Sequence, residues 1–196
     1  MLCEHNDGAQ PKKLAQTLRC SVSRAQEIYD SFWRTNTSLG GLKRDITEYW
    51  KEHGYLKGID GRKVMTRSKH SLINTLFQSG GAIAMKVAMI WWDEQVKREK
   101  LNARQVIFYH DEFQVEEDED DIRYFMFFTE EHANSWNPTD KLWSNIGLNE
   151  EGHYYRAYSR AGELGVMSIR EAGKQLGLKV PLDASYSVGL SWASTH

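Results

Sequence analysis

The densest group of chemically capable side chains lies in residues 108–121, FYHDEFQVEEDEDD, where eight of fourteen residues are acidic. His110, Asp111 and Glu112 stand within an apolar-polar alternation, which predicts a strand, a tight turn at His110-Asp111 and a returning strand. A carboxylate at such a turn can bind Mg²⁺, because proteins usually hold this ion with one or two carboxylates and substrate phosphates. One turn supplies at most two ligands, so a complete site needs another carboxylate from elsewhere. The alternative is a solvated turn.

A second group of polar side chains is spaced for one helix face. His70, Asn74 and Gln78 recur every four residues, which places them along one stripe. Asn and Gln amides can bind the minor groove of a duplex, where every base pair offers an acceptor, without reading sequence. Five cations precede the stripe: Lys57, Arg62, Lys63, Arg67 and Lys69. Together the groups predict a duplex-binding surface; an ordinary exposed helix face and a solvated basic hairpin are the alternatives.

The N-terminal part of the chain has helical spacing over residues 12–50. Ser21 supplies the hydroxyl that an N-cap needs at the start of the second helix. Gly40-Gly41 predicts a break, followed by a short helix over residues 42–51.

The remaining elements alternate between strands and helices. Asp60-Gly61 within YLKGIDGRKVMTR predicts a β-hairpin, since this dipeptide tolerates positive φ in a tight turn. A wide apolar face over residues 70–99 predicts a core helix. Residues 116–121 form a charge run typical of a solvated loop, and residues 166–177 predict an amphipathic helix that ends at Gly177.

The composition is that of a folded protein. A chain of 196 residues with 40% hydrophobic content can bury a sizeable core, and no repeat or linker divides it, which predicts one compact unit. The net charge of −2 does not by itself point to a polyanion partner. Cys3 and Cys20 have no metal-ligand spacing and are expected to be reduced thiols. Neither a bilayer-length apolar run nor a secretory signal is present, so we expect a soluble intracellular protein.

Three segments resemble the family A DNA polymerases, in particular their bacteriophage replicative branch. YHDEFQV, residues 109–115, resembles palm motif C of that family. The upstream segment GIDGRKVMTRSKHSLINTLFQSGGAIAMK, residues 58–86, is similar over its whole length. The tail VPLDASYSVGLSWASTH also resembles the family's C-terminus, including Trp192 and His196. The three matches occur in the family's order.

The resemblance implies catalytic roles at the turn. Asp111 would be the catalytic metal ligand of motif C, with the catalytic Glu112 beside it near the primer terminus. His110 would contact the last nucleotide of the primer strand. The implied reaction is template-directed attack of a primer 3′-hydroxyl on the α-phosphate of a dNTP, assisted by two Mg²⁺ ions.

The resemblance also implies DNA-binding roles. Asn74 and Gln78 match the family's minor-groove contacts to the nascent base pair, and His70 occupies a related DNA-contacting position. Arg62, Lys63 and Arg67 belong to the same expected primer-template surface.

An α+β fold follows from the resemblance: the C-terminal part of a palm, with an antiparallel hairpin and a long core helix, preceded by a helical remnant of the fingers. Residues 1–45 would end the fingers, and residues 46–118 would form the palm with motif C. Residues 119–162 would be an insertion, away from DNA because its acidic residues would repel phosphates, or a docking site for a partner. Residues 163–196 would be the last palm helix and tail.

The chain departs from the family pattern in what it lacks. The motif A aspartate is absent, and residues 6–15 look like the segment that follows the motif B helix, with Asp7 in place of a tyrosine. The interpretation is therefore the C-terminal subunit of a split polymerase, inactive alone. A second polypeptide would carry the exonuclease, thumb, motif A and motif B.

Two alternatives belong to other functional classes. The chain can be a non-catalytic DNA-binding or assembly subunit with a vestigial site. An independent metal-dependent nuclease would require more clustered carboxylates than the sequence offers.

Overall fold

The computed structural model describes residues 11–136, 138 and 141–195, without the side chain of His70. Cys3, Asp7 and His196 therefore lie outside the described residues. Contacts divide the chain into two compact units, one up to Gly80 and one from Gly81, so the prediction of a single unit was wrong. Among the described residues, no helix combines the length and apolar composition that a bilayer crossing requires.

The described part of the first unit begins with three helices, α1 (Pro11–Leu18), α2 (Val22–Thr35) and α3 (Thr37–His53). The Ser21 hydroxyl accepts a hydrogen bond from the amide of Arg24, which confirms the predicted cap. The predicted break at Gly40-Gly41 was wrong, because α3 runs through both glycines. Each glycine weakens a helix by about 1 kcal/mol but leaves its hydrogen bonds intact.

A small hairpin follows α3 and confirms the prediction around Asp60-Gly61. Strands β1 (Leu56–Lys57) and β2 (Lys63–Val64) pair in antiparallel orientation. Gly61 takes φ +84°, a conformation that favours glycine in the turn.

Helix α4 (Leu72–Glu99) crosses the boundary between the two units. Ala84, Ala88, Trp92 and Val96 recur every four residues and are all buried, as expected of a core helix. The apolar face is narrower than predicted, because Ile90 is 59% exposed.

In its described residues, the second unit contains two antiparallel sheets. Strands β3 (Ala103–Tyr109) and β4 (Glu112–Glu117) form the predicted hairpin. Strands β5 (Arg123–Phe127), β6 (Gly147–Leu148) and β7 (Tyr154–Tyr158) form a sheet in the order β5-β7-β6, and helix α5 (Glu130–Ser135) lies between β5 and β6 in sequence. The fold class is α+β, as predicted.

Helix α6 (Arg160–Gln175) begins six residues before the predicted start. Its first turn is capped by Ser159, whose hydroxyl accepts a hydrogen bond from the amide of Gly162 at 2.8 Å. After α6 the chain turns at residues 176–177 and then forms no regular helix or strand until a short 3₁₀ helix, Trp192–Ser194.

The core of the second unit is centred on Trp92, which packs with Val96, Ala161 and Leu164. The Trp92 indole N–H donates to the carbonyl of Ala161 at 2.9 Å, so its buried polar atom is satisfied. Phe113 from β4 packs against the same cluster. Helix α4, the β3–β4 hairpin and α6 are thereby joined.

The C-terminal segment is bound along the sheet and the start of α6. The Tyr186 hydroxyl donates to the carbonyl of Leu142 at 2.8 Å, and the Tyr155 hydroxyl donates to that of Val188 at 2.6 Å. The Tyr186 ring lies so close to Gly162 that an added Cβ would meet it at 2.4 Å. Position 162 therefore requires glycine, because any larger side chain would collide with the Tyr186 ring.

We predict that Gly162→Ala lowers the free energy of unfolding by about 1–3 kcal/mol, because the methyl group displaces the Tyr186 ring. The control is Gly165→Ala on the same helix, where an added Cβ would meet Phe113 at an ordinary 3.7 Å. The free energy of unfolding of that variant should stay the same or rise by up to about 1 kcal/mol, because alanine has a higher helix propensity than glycine. Urea unfolding of both variants measures the difference; equal effects would refute the tail contact.

Candidate functional site

The tip of the β3–β4 hairpin presents the predicted metal-binding residues. Tyr109 pairs with Glu112, which leaves His110 and Asp111 as a two-residue turn. Both turn residues are exposed. His110 takes φ +52°, a left-handed conformation that is uncommon for a residue with a Cβ and that occurs often at functional sites.

The hairpin is anchored at its other end. The rings of Phe113 and Trp92 are 5.7 Å apart, so β4 is fixed to the core two residues after the turn. The strand register shifts between Gln105 and Ile107, which is a β-bulge. A bulge increases local twist and re-aims the end of a hairpin.

The carboxylates at the turn fit part of a magnesium site. Asp111 is exposed, whereas Glu112 is half-buried and accepts a hydrogen bond from the side-chain amide of Gln114 at 3.2 Å. No group of three or more acidic, histidine or cysteine side chains suited to a metal occurs in the described residues. Two adjacent carboxylates match the share of a Mg²⁺ shell that proteins often supply, but other ligands must complete it.

The C-terminal segment returns to this turn. The ring of Trp192 lies 6.4 Å from that of Tyr109, which in turn lies 4.2 Å from the His110 ring. Tyr109 is not among the site residues predicted from the sequence. Its position directly before the turn was the available signal, but the contact with Trp192 depends on tertiary structure.

The acidic run after the turn is not uniform, so its prediction as a solvated loop was wrong for its first residues. Glu116 pairs with Arg104 across the hairpin at 2.6 Å. Glu117 is half-buried and accepts a hydrogen bond from the Ser159 hydroxyl. Within the acidic run, only residues 118–121, which include the 3₁₀ helix Glu119–Asp121, lie outside the hairpin.

The first unit contains the predicted basic hairpin. Lys57 and Lys63 lie directly opposite each other, and both are exposed. Like charges at directly opposite positions of an antiparallel pair oppose strand pairing. Arg62 instead binds Asp60 at 2.6 Å, and the Lys63 ammonium lies 4.7 Å from the centre of the Tyr55 ring.

The predicted polar stripe is only partly described. Asn74 and Gln78 are both exposed and lie one turn apart on α4, so they share a face. His70 belongs to the 3₁₀ helix Lys69–Ser71 that precedes α4, and its side chain lies outside the described residues. Arg67 is exposed after β2. These residues are in the first unit, whereas the turn at Asp111 is in the second.

Comparisons with known proteins agree with the resemblance seen in the sequence. The family model for DNA polymerase family A matches residues 7–139. The DNA-directed DNA polymerase of Escherichia phage Phieco32 is 25% identical over 198 residues, which cover 97% of this chain and 26% of that protein. The DNA-directed DNA polymerase of Escherichia phage T7 is 27% identical over 150 residues, which cover 66% of this chain and 21% of that protein.

A solved structure has a similar fold. The POL domain of Pol1 from M. smegmatis, in complex with a DNA primer-template and dNTP, matches with a TM-score of 0.57 at 19% identity. The match covers 84% of this chain and 25% of that one. The chain thus spans about a quarter of the length of the phage polymerase of Phieco32.

The environment of Glu117 predicts a pH-dependent stability. Burial raises the pKa of its carboxyl group, and the hydrogen bond from Ser159 opposes this only in part. A raised folded-state pKa stabilises the fold below the unfolded pKa of about 4.3, and this contribution is lost as pH rises through the folded pKa. Glu117→Gln should therefore gain stability relative to the natural chain between about pH 4 and neutral pH.

Urea unfolding at a series of pH values measures this difference. The control is Glu116→Gln, which changes an exposed neighbouring carboxylate. It should lack the relative gain with rising pH. Parallel curves for the natural chain and Glu117→Gln would contradict the predicted cost of ionising Glu117.

Proposed function

The chain belongs to the family A DNA polymerases, and we propose that it is the C-terminal subunit of a split, phage-type DNA-directed DNA polymerase. In this proposal it contributes the motif C carboxylates and primer-template contacts to a complex. A second polypeptide supplies the exonuclease, thumb, motif A and motif B. Alone, the chain would not incorporate nucleotides.

The observation that best supports this proposal is an incomplete site on an uncovered strand. The turn offers only Asp111 and Glu112, without a third clustered ligand among the described residues. Strand β3 exposes apolar side chains beside that turn, with Val106 51% and Tyr109 54% exposed. In the described residues β3 pairs only with β4. Exposed apolar surface at an unpaired strand is typical of a surface that another polypeptide covers.

The turn residues would have distinct roles in nucleotide transfer. Asp111 would bind Mg²⁺ together with an aspartate of the second polypeptide, and Glu112 would lie beside the primer end. When bound, Mg²⁺ would stabilise negative charge on the attacking and leaving oxygens as a dNTP is joined to the primer 3′-hydroxyl. His110 would contact the last primer nucleotide, a role suited to its exposed position at the turn.

The first unit would bind the primer-template duplex. Asn74 and Gln78 offer exposed amides that can bind minor-groove acceptors on any base pair. Lys57 and Lys63 would neutralise phosphates, which would also relieve their mutual repulsion. Arg67 is a further exposed cation on the same segment.

The remaining assignments follow the family resemblance. Residues 1–45 would end the fingers, residues 46–118 would form the palm, and residues 163–196 would complete it. Residues 119–162 would be an insertion. Arg62 and His70 would also lie on the DNA-binding surface, and synthesis would take place in the cytoplasm, that of the host cell for a viral protein.

Asp111→Asn tests the catalytic role in the complex isolated with its natural partner. Loss of a metal-binding carboxylate should lower nucleotide incorporation by at least about a thousandfold, since metal ions contribute several kcal/mol to such transition states. Binding of primer-template DNA should be retained. Primer extension and fluorescence anisotropy measure the two properties separately.

The control for this experiment is Asp45→Asn, which changes an exposed aspartate on α3. It should leave incorporation unchanged. Full incorporation by Asp111→Asn would favour the non-catalytic DNA-binding or assembly subunit instead. Incorporation by the purified 196-residue chain without a partner would show that the second polypeptide is dispensable.

Replacement of Lys57 and Lys63 together by glutamine tests the duplex-binding surface. The double variant should bind duplex DNA more weakly, and the slope of log K against log salt should fall by up to about 2, the contribution of two phosphate contacts. Its free energy of unfolding should change by no more than about 1 kcal/mol, because removal of the like-charge pair offsets the lost contact between Lys63 and the Tyr55 ring. The matched control replaces Lys174 and Lys179, two exposed lysines of the second unit, by glutamine. Equal salt slopes in all three proteins would disprove the contact.

A further inference from the structure

Strand β5 forms one edge of the three-stranded sheet. It pairs with β7 through five consecutive residues, from Arg123 to Phe127. No other strand of the described chain pairs with its outer side. A free strand edge presents unpaired amide and carbonyl groups, which another extended segment can bind.

This edge strand is unusually apolar for its exposure. Phe125 and Met126 are each 50% exposed, Tyr124 is 39% exposed, and the next residue, Phe128, is 89% exposed. Proteins normally protect an edge with charged residues, proline or a covering element. The only charge within β5 is that of Arg123.

The strand is nevertheless firmly positioned. The Phe125 ring stacks on Trp136 at 4.9 Å and meets Trp143 edge-on at 5.4 Å. Tyr124 contacts Tyr155 of β7 on the other face of the sheet, with ring centres 5.6 Å apart. The edge is thus preformed, which reduces the entropy that a binding partner must lose.

Both ends of β5 are acidic. Four consecutive exposed acidic residues precede it and two follow it: Asp118, Glu119, Asp120, Asp121, Glu130 and Glu131. These acidic side chains do not form a metal site of three or more ligands, since no such group occurs in the described residues. Their placement instead puts negative charge at each end of an apolar edge.

The acidic residues at both ends of β5 favour one kind of binding partner for its outer edge. Two copies of β5 paired in either direction would bring acidic ends together, and like charges at neighbouring positions destabilise strand pairing. Phosphates of a nucleic acid would meet the same repulsion. A polypeptide segment with basic ends would gain at both ends.

We propose that the outer edge of β5 binds an extended segment of a partner protein, with an apolar centre and Lys or Arg residues at both ends. The segment would add a fourth strand to the sheet through backbone hydrogen bonds. Its cations would lie beside the carboxylates that flank β5. This surface uses none of the side chains proposed for metal or DNA binding.

The test uses the full chain and two labelled synthetic peptides. Both have the same alternating valine and threonine centre; one has two lysines at each end and the other has two glutamates. The lysine peptide should bind in fluorescence anisotropy, and the glutamate peptide should bind at least about tenfold more weakly, as expected for several exposed charge pairs. Hydrogen exchange should show new protection of β5 amides by the lysine peptide.

Charge reversal in the chain provides the matched variants. The double variant Glu130→Lys with Glu131→Lys should bind the lysine peptide more weakly and the glutamate peptide more tightly than the natural chain does. The control is Glu150→Lys with Glu151→Lys, which reverses two exposed carboxylates in the turn between β6 and β7. It should leave the preference for the lysine peptide unchanged.

Several results would overturn the proposal. These are no binding of the lysine peptide, equal binding of both peptides, or protection elsewhere but not at β5. Sedimentation showing that a second copy occupies β5 would also overturn it. The proposal would also fail if a single-stranded oligonucleotide bound more tightly than the lysine peptide and Phe125→Ala abolished that binding.

Discussion

The burial of Trp92 holds the turn at His110-Asp111 in position relative to the core of the second unit. Its ring contacts Phe113 of the hairpin, and its indole N–H is bonded to the first turn of α6 through Ala161. One side chain thus joins a long helix, a hairpin and a second helix. Arg160 reinforces this arrangement with two 2.8 Å bonds to Glu99 at the end of α4. An exposed carboxylate at a hairpin tip can be placed reproducibly only when the base of that hairpin is fixed.

The segment assigned as an insertion has a structural role in this unit. Its residues bind the C-terminal segment through the Tyr155 hydroxyl and the backbone amide of Asn145, which donates to the Tyr186 carbonyl at 2.7 Å. That segment then continues to Trp192 beside the turn. Contacts far from the candidate site therefore position residues near it. The alignment with the Phieco32 polymerase covers 97% of the chain and so runs across this segment as well.

The placement of charge separates surfaces with different expected partners. The hairpin of the first unit opposes Lys57 and Lys63, whereas the edge strand of the second unit has acidic residues at both ends. Like charges stand directly opposite each other in the hairpin and next to each other in the sequence at the ends of β5, which opposes folding. Under the two proposals, a bound partner of opposite charge would offset this repulsion. The small net charge of −2 conceals this separation, since it sums the two surfaces.

Local patterns in the sequence determined the cap at Ser21, the turn at Asp60-Gly61 and the hairpin that presents Asp111, because each depends on residues a few positions apart. Helix α3 continues through Gly40-Gly41, which shows the limit of such patterns. A weak helix former does not end a helix that its neighbours continue. The half-buried position of Glu117 and the contact of Trp192 with Tyr109 could not be predicted from such patterns. Those contacts join residues 42 and 83 positions apart in the chain, and their free energy exists only after the intervening segments have packed.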